Sequence, residues 1–561
     1  MQQLIECVPN FSEGVNLDII KQIASEIESV EGVRLLNVDP GKATNRTVVT
    51  FVGEPASVIE AAFLAIKKAG ELIDMSKHKG EHPRMGATDV CPLIPIANIS
   101  MEETAVYARQ LAKRVGEELQ IPAYLYEYAQ PDKSRSNLSV IRAGEYEGFF
   151  KKIKLPEWQP DFGPLEYDAK RGATVIGARD FLIAYNVNLN TTSVRRANSV
   201  AFDVREAGRV MREGDPITGK IVTDEHGKSK SIPGSLSSVK AIGWYIEEYG
   251  IAQISMNLTN IEVTSLHKAF DEVCTKAAER GMRVTGSELV GLVPLKTMLD
   301  AGKYFLLKQQ RSAGVSENEL IRIAVKSMGL AELAPFKPEE RIIEYLLRDK
   351  ASSKLGSLSL TDFADETASE SPAPGGGSIS AYMGALGAAL ATMVANLSSH
   401  KKGWDSRWEE FSEWAVKGQQ YKNELIKLVD LDTAAFNKIM EAFNLPKAST
   451  EEKAIRDTAI QTATRYAIEI PFKVMQAALG SLAVIKAMAE TGNPNSVTDA
   501  GVAALCARSA VIGAFMNVKI NAGGYKDKAF VDDIMKQGTE IEKQAMAVEA
   551  EIIALVNNKI S

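Results

Sequence analysis

The chain has 561 residues, and its hydrophobic and charged fractions of 45% and 24% are those of a globular protein. Its length predicts about three to four domain-sized units. A net charge of −7 argues against nucleic acid or an anionic membrane surface as the main partner. The cysteines form no CxxC pair, which argues against a zinc site or disulfide framework and favours a reducing cytoplasm. We expect no signal peptide, because the chain does not start with a basic segment followed by an apolar run.

Strand and helix patterns alternate through residues 1–126 in the order β-α-β-β-α-β, which is the split βαβ plan. The apolar run Val90 to Ile96 contains Pro92 and Pro95. These prolines predict an edge strand or an interrupted strand, because proline cannot donate to a sheet ladder. Residues 127–175 are rich in proline and glycine, and such an irregular stretch inside a folded unit is usually functional or a linker.

The same order of elements recurs between Phe181 and Val293, without a repeat of sequence. Within it, Val239 to Ile246 fits either a strand or a helix. The polar segment Asp215 to Pro233 predicts an inserted hairpin or loop. We therefore predict two α/β subdomains of split βαβ, ferredoxin-like plan, at residues 1–180 and 181–335.

After a predicted linker at residues 336–354, the pattern is entirely helical. Residues 355–561 therefore predict an all-α bundle. One predicted helix, which ends near Ser399, carries no charge from Ser378 onwards and is long enough to span a bilayer. Its Ala, Gly and Ser content instead favours a closely packed helix of a bundle.

Two of the five histidines, His78 and His82, lie four residues apart in a polar loop between Lys77 and Val90. Pro83 and two glycines constrain the backbone of this loop. A histidine on such a loop suits a general acid or base, because its pKa lies near neutral pH. The alternative is a solvated loop with incidental histidines, and composition does not decide between the two.

A glycine run precedes the uncharged helix. At the N-terminus of a helix it would offer free N–H groups and a positive dipole end to an anion. The run lacks the Lys-Ser/Thr ending of a P-loop, which argues against a nucleoside triphosphate. A flexible linker is the alternative. The residues concerned are Gly375, Gly376, Gly377 and Ser378.

The segment Leu425 to Met440 predicts a helix whose apolar stripe has Asp432 at its centre, whereas Asp430 falls on another face. An unpaired carboxylate on an apolar face is costly to bury, and its pKa tends to rise. Asp432 is therefore a candidate acid/base residue. The alternative is a buried ion pair, for example with Arg456.

Several separated motifs resemble known enzymes. Those that resemble glutamate formiminotransferases are Glu6–Gly14, Asn45–Val48, His82–Ala87 and Gly286–Pro294. Those that resemble formimidoyltetrahydrofolate cyclodeaminases are Pro374–Ser378, Val429–Phe436 and Asn517–Asn521. The chain thus resembles the bifunctional formiminotransferase-cyclodeaminase family over nearly its full length.

The resemblance implies that the first half transfers a formimino group from N-formimino-L-glutamate to N5 of tetrahydrofolate. His82 would be the catalytic histidine, and the folate-binding segment would run from Gly163 and Pro164 to Gly172. The second half would close the formimino carbon onto N10 and release ammonia, with Asp432 as the acid/base residue. The glycine run would then be a further candidate for substrate or folate binding.

The family's other properties give further expectations. The resemblance implies a cytoplasmic, ring-shaped homo-oligomer that uses tetrahydrofolate, with or without a polyglutamate tail, as substrate. It implies no metal, no nucleic acid and no membrane partner. Two alternatives stay open for the helical half: a methenyltetrahydrofolate cyclohydrolase, or an oligomerisation module without chemistry.

Overall fold

The computed structural model of the chain describes residues 3–42, 44–80, 83–166, 168–215, 218–227, 229–347 and 355–560. The chain forms two compact units. The α/β unit consists of Met1–Thr297 and Met328–Leu346, and the helical unit of Met298–Ser327 and Leu347–Ser561.

The first sheet of the α/β unit has seven strands: β1 (Leu4–Cys7), β2 (Asn10–Phe11), β3 (Val33–Gly41), β4 (Arg46–Gly53), β5 (Thr88–Ala97), β6 (Ala123–Glu127) and β7 (Thr174–Ala178). β1 and β2 lie between β4 and β5, and β3 pairs with β4. These pairings are antiparallel, whereas β5, β7 and β6 pair in parallel.

Helices cover both faces of this sheet. On one face lie α1 (Leu17–Glu28), α2 (Pro55–Leu72) and α3 (Met101–Glu118), which form a core with Ile5, Cys7 and Phe51. On the other face, α4 (Leu138–Ile141) and α5 (Glu145–Lys152) pack near β6 and β7. Farther along that second face, Glu6 of β1, Asn10 of β2 and Thr50 of β4 are buried polar residues.

The prediction of an edge or interrupted strand at Val90 to Ile96 is wrong. β5 is continuous and pairs on both sides, with β1 and with β7. Proline removes a donor but keeps its carbonyl, and the Pro92 oxygen accepts from the Val8 N–H at 3.2 Å. Pro95 lies beside a shift of the β1–β5 register, where the regular ladder is already interrupted.

The second sheet has the order β11-β12-β8-β13, with antiparallel pairing throughout. The segment Val239–Ile246 is a strand, because it pairs with its neighbour along its whole length. The described part of the polar insertion ends in a short ribbon with Arg209–Val210. The strands are β8 (Ile183–Leu189), β9 (Arg209–Val210), β10 (Ser231–Ile232), β11 (Val239–Ile246), β12 (Ile251–Leu258) and β13 (Val284–Val290), and helices α6 (Val194–Val204) and α7 (Leu266–Glu279) accompany them.

Part of the segment interpreted as a linker is helical. Residues 338–347 form α10 (Pro338–Arg341) and α11 (Ile343–Leu347), after α8 (Leu295–Lys308) and α9 (Glu317–Met328). Ile342 and Ile343 are buried, and Ile342 forms a parallel bridge with Val293. Residues 348–354 lie outside the described residues.

Over the described residues 355–560, the helical unit contains one short α-helix and five long ones: α12 (Leu360–Ala368), α13 (Gly376–Ser399), α14 (Trp408–Phe443), α15 (Thr450–Thr491), α16 (Val497–Ala522) and α17 (Lys528–Ile560). Small residues let α13 approach its neighbours. A Cβ on Gly387 would lie 2.8 Å from the Ala503 carbonyl oxygen of α16. Such close approach explains why this helix is rich in Ala and Gly.

Three helical segments, Gly376–Ser399, Thr450–Thr491 and Pro494–Ala522, are long and apolar enough to cross a membrane. Of their apolar windows, 61%, 61% and 50% respectively are buried inside the protein. The apolar surface of these helices therefore forms much of the bundle core, in line with the interpretation of α13 as a bundle helix.

Candidate functional site

The histidine loop lies against the turn between β3 and β4. The His78 Nε2 atom lies 2.9 Å from the Asn45 carbonyl oxygen, and the Asn45 side-chain amide donates to the Lys79 carbonyl at 2.9 Å. The predicted catalytic residue, His82, and its neighbour Glu81 lie outside the described residues. The chain that leads to His82 is therefore held by Asn45.

Arg84 holds the chain on the other side of His82. Its side chain is nearly buried, and its Nε donates to His78 Nδ1 at 3.2 Å. The guanidinium also donates to both carboxylate oxygens of Glu147 on α5, at 2.7 and 3.1 Å. These hydrogen bonds hold the pKa of Glu147 below its usual range. The sequence indicated no role for Arg84 or Glu147, although Arg84 lies within the His82–Ala87 motif.

The predicted folate-binding segment meets the residues that follow His82. Gly86 forms an antiparallel bridge with Gly172. The Ala87 N–H donates to the Arg171 carbonyl at 2.8 Å, and the Ala173 N–H donates to the Met85 carbonyl at 3.1 Å. The two predicted features are therefore adjacent, although they are far apart in sequence.

The start of that segment has a different environment. Gly163 packs against α3, where a Cβ on Gly116 would lie 2.6 Å from the Gly163 nitrogen. Pro164 is half-buried, and Tyr167 lies outside the described residues. Of the three segment residues predicted for folate binding, only Gly172 is placed directly beside the chain that follows His82.

In the helical unit, the glycine run forms the first turn of α13, with Gly375 as its N-cap. The Asp432 carboxylate of α14 lies against this turn. A Cβ on Gly377 would lie 2.5 Å from both Cγ and Oδ2 of Asp432. Only glycine permits this approach. The helix N-terminus predicted to receive an anion thus receives a carboxylate of the chain itself.

The Ser378 side chain of α13 contacts both Asp432 and the backbone of α14, the helix that carries Asp432. The Ser378 hydroxyl donates to the Val429 carbonyl at 2.9 Å and lies 3.2 Å from both Asp432 Oδ2 and Thr433 Oγ1. A hydroxyl carries one proton, so it cannot donate to Val429 and Asp432 at once. While Ser378 donates to Val429, a protonated Asp432 can donate to the Ser378 oxygen.

Burial raises the pKa of Asp432, and hydrogen bonds from the Ser378 side chain and backbone lower it in part. The alternative of an ion pair with Arg456 fails, because the Arg456 guanidinium donates to the Phe443 carbonyl at 3.0 and 3.2 Å. In the part of the chain that the structure describes, Asp432 forms no ion pair. It therefore has the surroundings of an acid/base residue.

Other polar residues of this unit differ in whether they lie near the glycine run. Asp430 faces away from the glycine run and accepts from the Leu355 N–H at 3.1 Å, which is a structural role. The Asn517 amide would lie 3.4 Å from a Cβ on Gly376, so Asn517 borders the site. Asn521 instead donates to the Ala467 carbonyl of α15 at 2.8 Å.

Among the described residues, no group of three or more His, Cys, Asp or Glu side chains could hold a metal ion.

The chain has two compact units, each with its own candidate site, an arrangement that fits a multifunctional enzyme. Family models match most of the chain: the N-terminal subdomain of the formiminotransferase domain at residues 4–179, the formiminotransferase domain at 184–348, and formiminotransferase-cyclodeaminase at 359–540. The formimidoyltransferase-cyclodeaminase of Mus musculus is 43% identical over 551 residues, which is 98% of this chain and 97% of that protein. The chain belongs to the formimidoyltransferase-cyclodeaminase family.

Two further relatives each match one half. The glutamate formimidoyltransferase of Thermoplasma acidophilum is 42% identical over 305 residues, covering 54% of this chain and 92% of that protein. The methenyltetrahydrofolate cyclohydrolase of Methylorubrum extorquens is 34% identical over 206 residues, covering 37% of this chain and 99% of that protein.

The contact of Gly172 with Met85 and Gly86 gives a test of the first site. A Cβ at Gly172 would lie 2.7 Å from the Gly86 Cα, and closer still to the Met85 carbonyl oxygen. Gly281 is a matched control, because its φ is +72° against +69°, and a Cβ there would have no atom within 4 Å in the described structure. Left-handed strain of about 1–2 kcal/mol is common to both alanine variants. We expect the Tm of Gly172→Ala to fall below that of Gly281→Ala, and its transferase activity to be lost selectively. Equal Tm values and activities would contradict this.

The approach of Asp432 to Gly377 gives a test of the second site. Gly377→Ala should displace the carboxylate and abolish cyclodeaminase activity while transferase activity stays near wild type. Gly524→Ala is the control, because no atom of the described structure would lie within 4 Å of its Cβ. The two activities are measured separately, as loss of formiminoglutamate and as release of ammonia. Full ammonia release by Gly377→Ala would show that Asp432 need not lie against this turn.

Proposed function

We propose that the chain transfers the formimino group of N-formimino-L-glutamate to N5 of tetrahydrofolate, and then cyclises the product to 5,10-methenyltetrahydrofolate with release of ammonia. The observation that carries this proposal is the Asp432 carboxylate, which lies against the glycine run and forms no ion pair with any described residue. The contact of Gly172 with the residues after His82 supports the transferase step. The names of the family's members fit both activities.

In the transferase step, N5 of tetrahydrofolate attacks the formimino carbon. A base must take the N5 proton, and the same group can return it to the glutamate nitrogen as that nitrogen leaves. We assign this role to His82. Hydrogen bonds of Asn45 and Arg84 hold the described chain before and after residues 81–82.

In the cyclisation step, N10 attacks the formimino carbon and loses its proton. Ammonia is a poor leaving group unless its nitrogen is protonated, so a proton must pass from N10 to that nitrogen. Asp432 can carry it, because burial raises the pKa of its carboxyl. The Ser378 hydroxyl can then donate to the ionised form. We further propose that Gly375, Gly376, Gly377 and Ser378 contact the folate. Tetrahydrofolate is the acceptor in the first step, its 5-formimidoyl derivative is the substrate of the second, and neither step requires a metal ion.

A second candidate function applies to the helical half. The similarity to the Methylorubrum extorquens cyclohydrolase favours hydrolysis of methenyltetrahydrofolate at the same site. Supplying methenyltetrahydrofolate and following its absorbance separates the two functions, because a cyclohydrolase accelerates the decay. An oligomerisation module without chemistry would instead release no ammonia from 5-formimidoyltetrahydrofolate.

Several finer features belong to the same proposal. We propose that residues 1–180 and 181–335 are two ferredoxin-like subdomains and that residues 355–561 are the cyclodeaminase domain. If the strands of each predicted β-α-β-β-α-β unit are numbered 1 to 4, their spatial order is 2-3-1-4 in both sheets, which supports the split βαβ plan. We also propose that the chain forms a ring-shaped homo-oligomer in the cytoplasm.

Site variants test the two steps. The purified chain is mixed with formiminoglutamate and tetrahydrofolate, and methenyltetrahydrofolate absorbance and ammonia are recorded. His82→Ala should lower the transferase rate by about 100- to 10,000-fold, and Asp432→Asn should lower cyclisation by a similar factor. The controls are His226→Ala, at an exposed position, and Asp430→Asn, which alters only the contact with Leu355. Retained turnover in either site variant, with normal folding, removes that residue from the mechanism.

The raised pKa of Asp432 also predicts how stability depends on pH. The folded carboxyl binds its proton more tightly than the unfolded one, whose pKa is near 3.8. Its stabilising contribution is complete below that value and is lost as pH rises through the folded pKa. Asp432→Asn mimics the protonated form, so its Tm advantage over wild type should grow as the pH rises above the unfolded pKa of 3.8.

A further inference from the structure

Glu6 is a buried acid that neither proposed step uses. It lies in β1 and is 2% exposed. Its neighbours Ile5 and Cys7 belong to the core under α1, α2 and α3. Because successive side chains of a strand point to opposite faces, Glu6 lies on the second face of the sheet.

The carboxylate of Glu6 has no partner of its own. Within the described residues it forms no hydrogen bond and no ion pair, and Oε2 is fully buried. Burial raises the pKa of the Glu6 carboxyl to about 7. The positive charge of Arg179 lowers this pKa, but by a smaller amount. Nearly all buried polar groups in native proteins are paired, because an unpaired carboxylate is costly to desolvate. An acid that is buried without a hydrogen-bond partner is therefore a candidate for binding a ligand.

The same face of the sheet leads from Glu6 to the histidine loop. Glu6 lies opposite Val52 of β4, and Asn10 lies opposite Val48, two residues from Arg46. The Arg46 guanidinium contacts the Asn10 side chain, which places both on this face. Arg46 follows Asn45, which holds the loop at His78 and Lys79. The polar side chains of Arg46 and Asn10 therefore lie on the same face of the sheet as Glu6, together with Val48 and Val52.

We propose that the Glu6 carboxylate binds a planar N–C–N pair of N–H donors on a substrate of the transferase step, an inference that rests on the proposed function. A carboxylate accepts two parallel N–H bonds from such a group, as it does from a guanidinium. Both substrates present this chemistry. Formiminoglutamate carries it as its formamidinium, and tetrahydrofolate carries it as the N3–H and 2-amino edge of the pterin ring.

The test is the isosteric variant Glu6→Gln, which replaces one acceptor oxygen by a donor. Initial rates are measured with each substrate varied while the other saturates. We expect the KM for one substrate to rise about 10-fold or more, because one of two charge-assisted hydrogen bonds becomes a donor–donor contact. A rise for formiminoglutamate assigns Glu6 to the formamidinium, and a rise for tetrahydrofolate assigns it to the pterin edge.

A matched control is Glu60→Gln. Glu60 lies on α2, on the other face of the sheet, and pairs with Arg114 at 2.7 Å. Its neutralisation should change neither KM. Glu6→Gln should also have a Tm no lower than wild type, because it removes an unpaired buried charge. If Glu6→Gln does not fold, Glu6→Asp is the second variant. Its side chain is one methylene shorter, so the carboxylate lies farther from the substrate and the same KM should rise.

Unchanged KM values for both substrates, in a folded variant, would overturn the proposal and leave Glu6 as a buried acid of structural origin. The failure of the proposed function is a separate result. It would appear as absence of transferase turnover in the wild-type chain, whereas failure of the Glu6 inference alone leaves wild-type turnover intact.

Discussion

The close approach of one carboxylate to one helix N-terminus organises the helical site. Asp432 lies against the first turn of α13, where Gly377 has no side chain to exclude it. The free N–H groups of a helix start favour a negative charge, whereas burial favours the neutral acid. The pKa of the Asp432 carboxyl is accordingly raised by burial and lowered in part by the hydrogen bonds from Ser378. The Ser378 hydroxyl suits both forms, because it can accept from the acid or donate to the carboxylate.

The α/β unit holds its histidine loop by a different device. Hydrogen bonds from Asn45 and Arg84 hold the chain on both sides of residues 81–82, and Arg84 is itself held by the acidic side chain of Glu147. Gly86 then forms a bridge with Gly172, and β5 begins two residues later at Thr88. In the helical unit Gly377 permits the close approach of Asp432, and in the α/β unit Gly172 permits the close approach of Met85 and Gly86. The physical requirement is the same, since proton transfer depends on distance and orientation.

Helical periodicity and residue type predicted much of this arrangement. The projection of α14 separated Asp432 from Asp430, and the structure places the first at the glycine run and the second at the Leu355 N–H. The described part of residues 355–561 is helical, as predicted, because apolar periodicity over many residues is a strong signal. The prolines of β5 misled the prediction, because a strand can keep both neighbours when it retains its carbonyls and places a register shift beside a proline.

Other features could not be predicted from local pattern. Nothing near Arg84 in sequence indicates Glu147, which lies 63 residues away, and nothing near Gly86 indicates Gly172. Glu6 had a weak signal, a single acid in a strand of apolar residues, but its lack of a partner is a property of the packed sheet. The sequence by itself determined the order of elements, the helical half, the candidate residues and the family resemblance, because these depend on periodicity and short motifs. Only the tertiary structure decided which of them meet, since contacts between distant segments follow from strand register and helix packing.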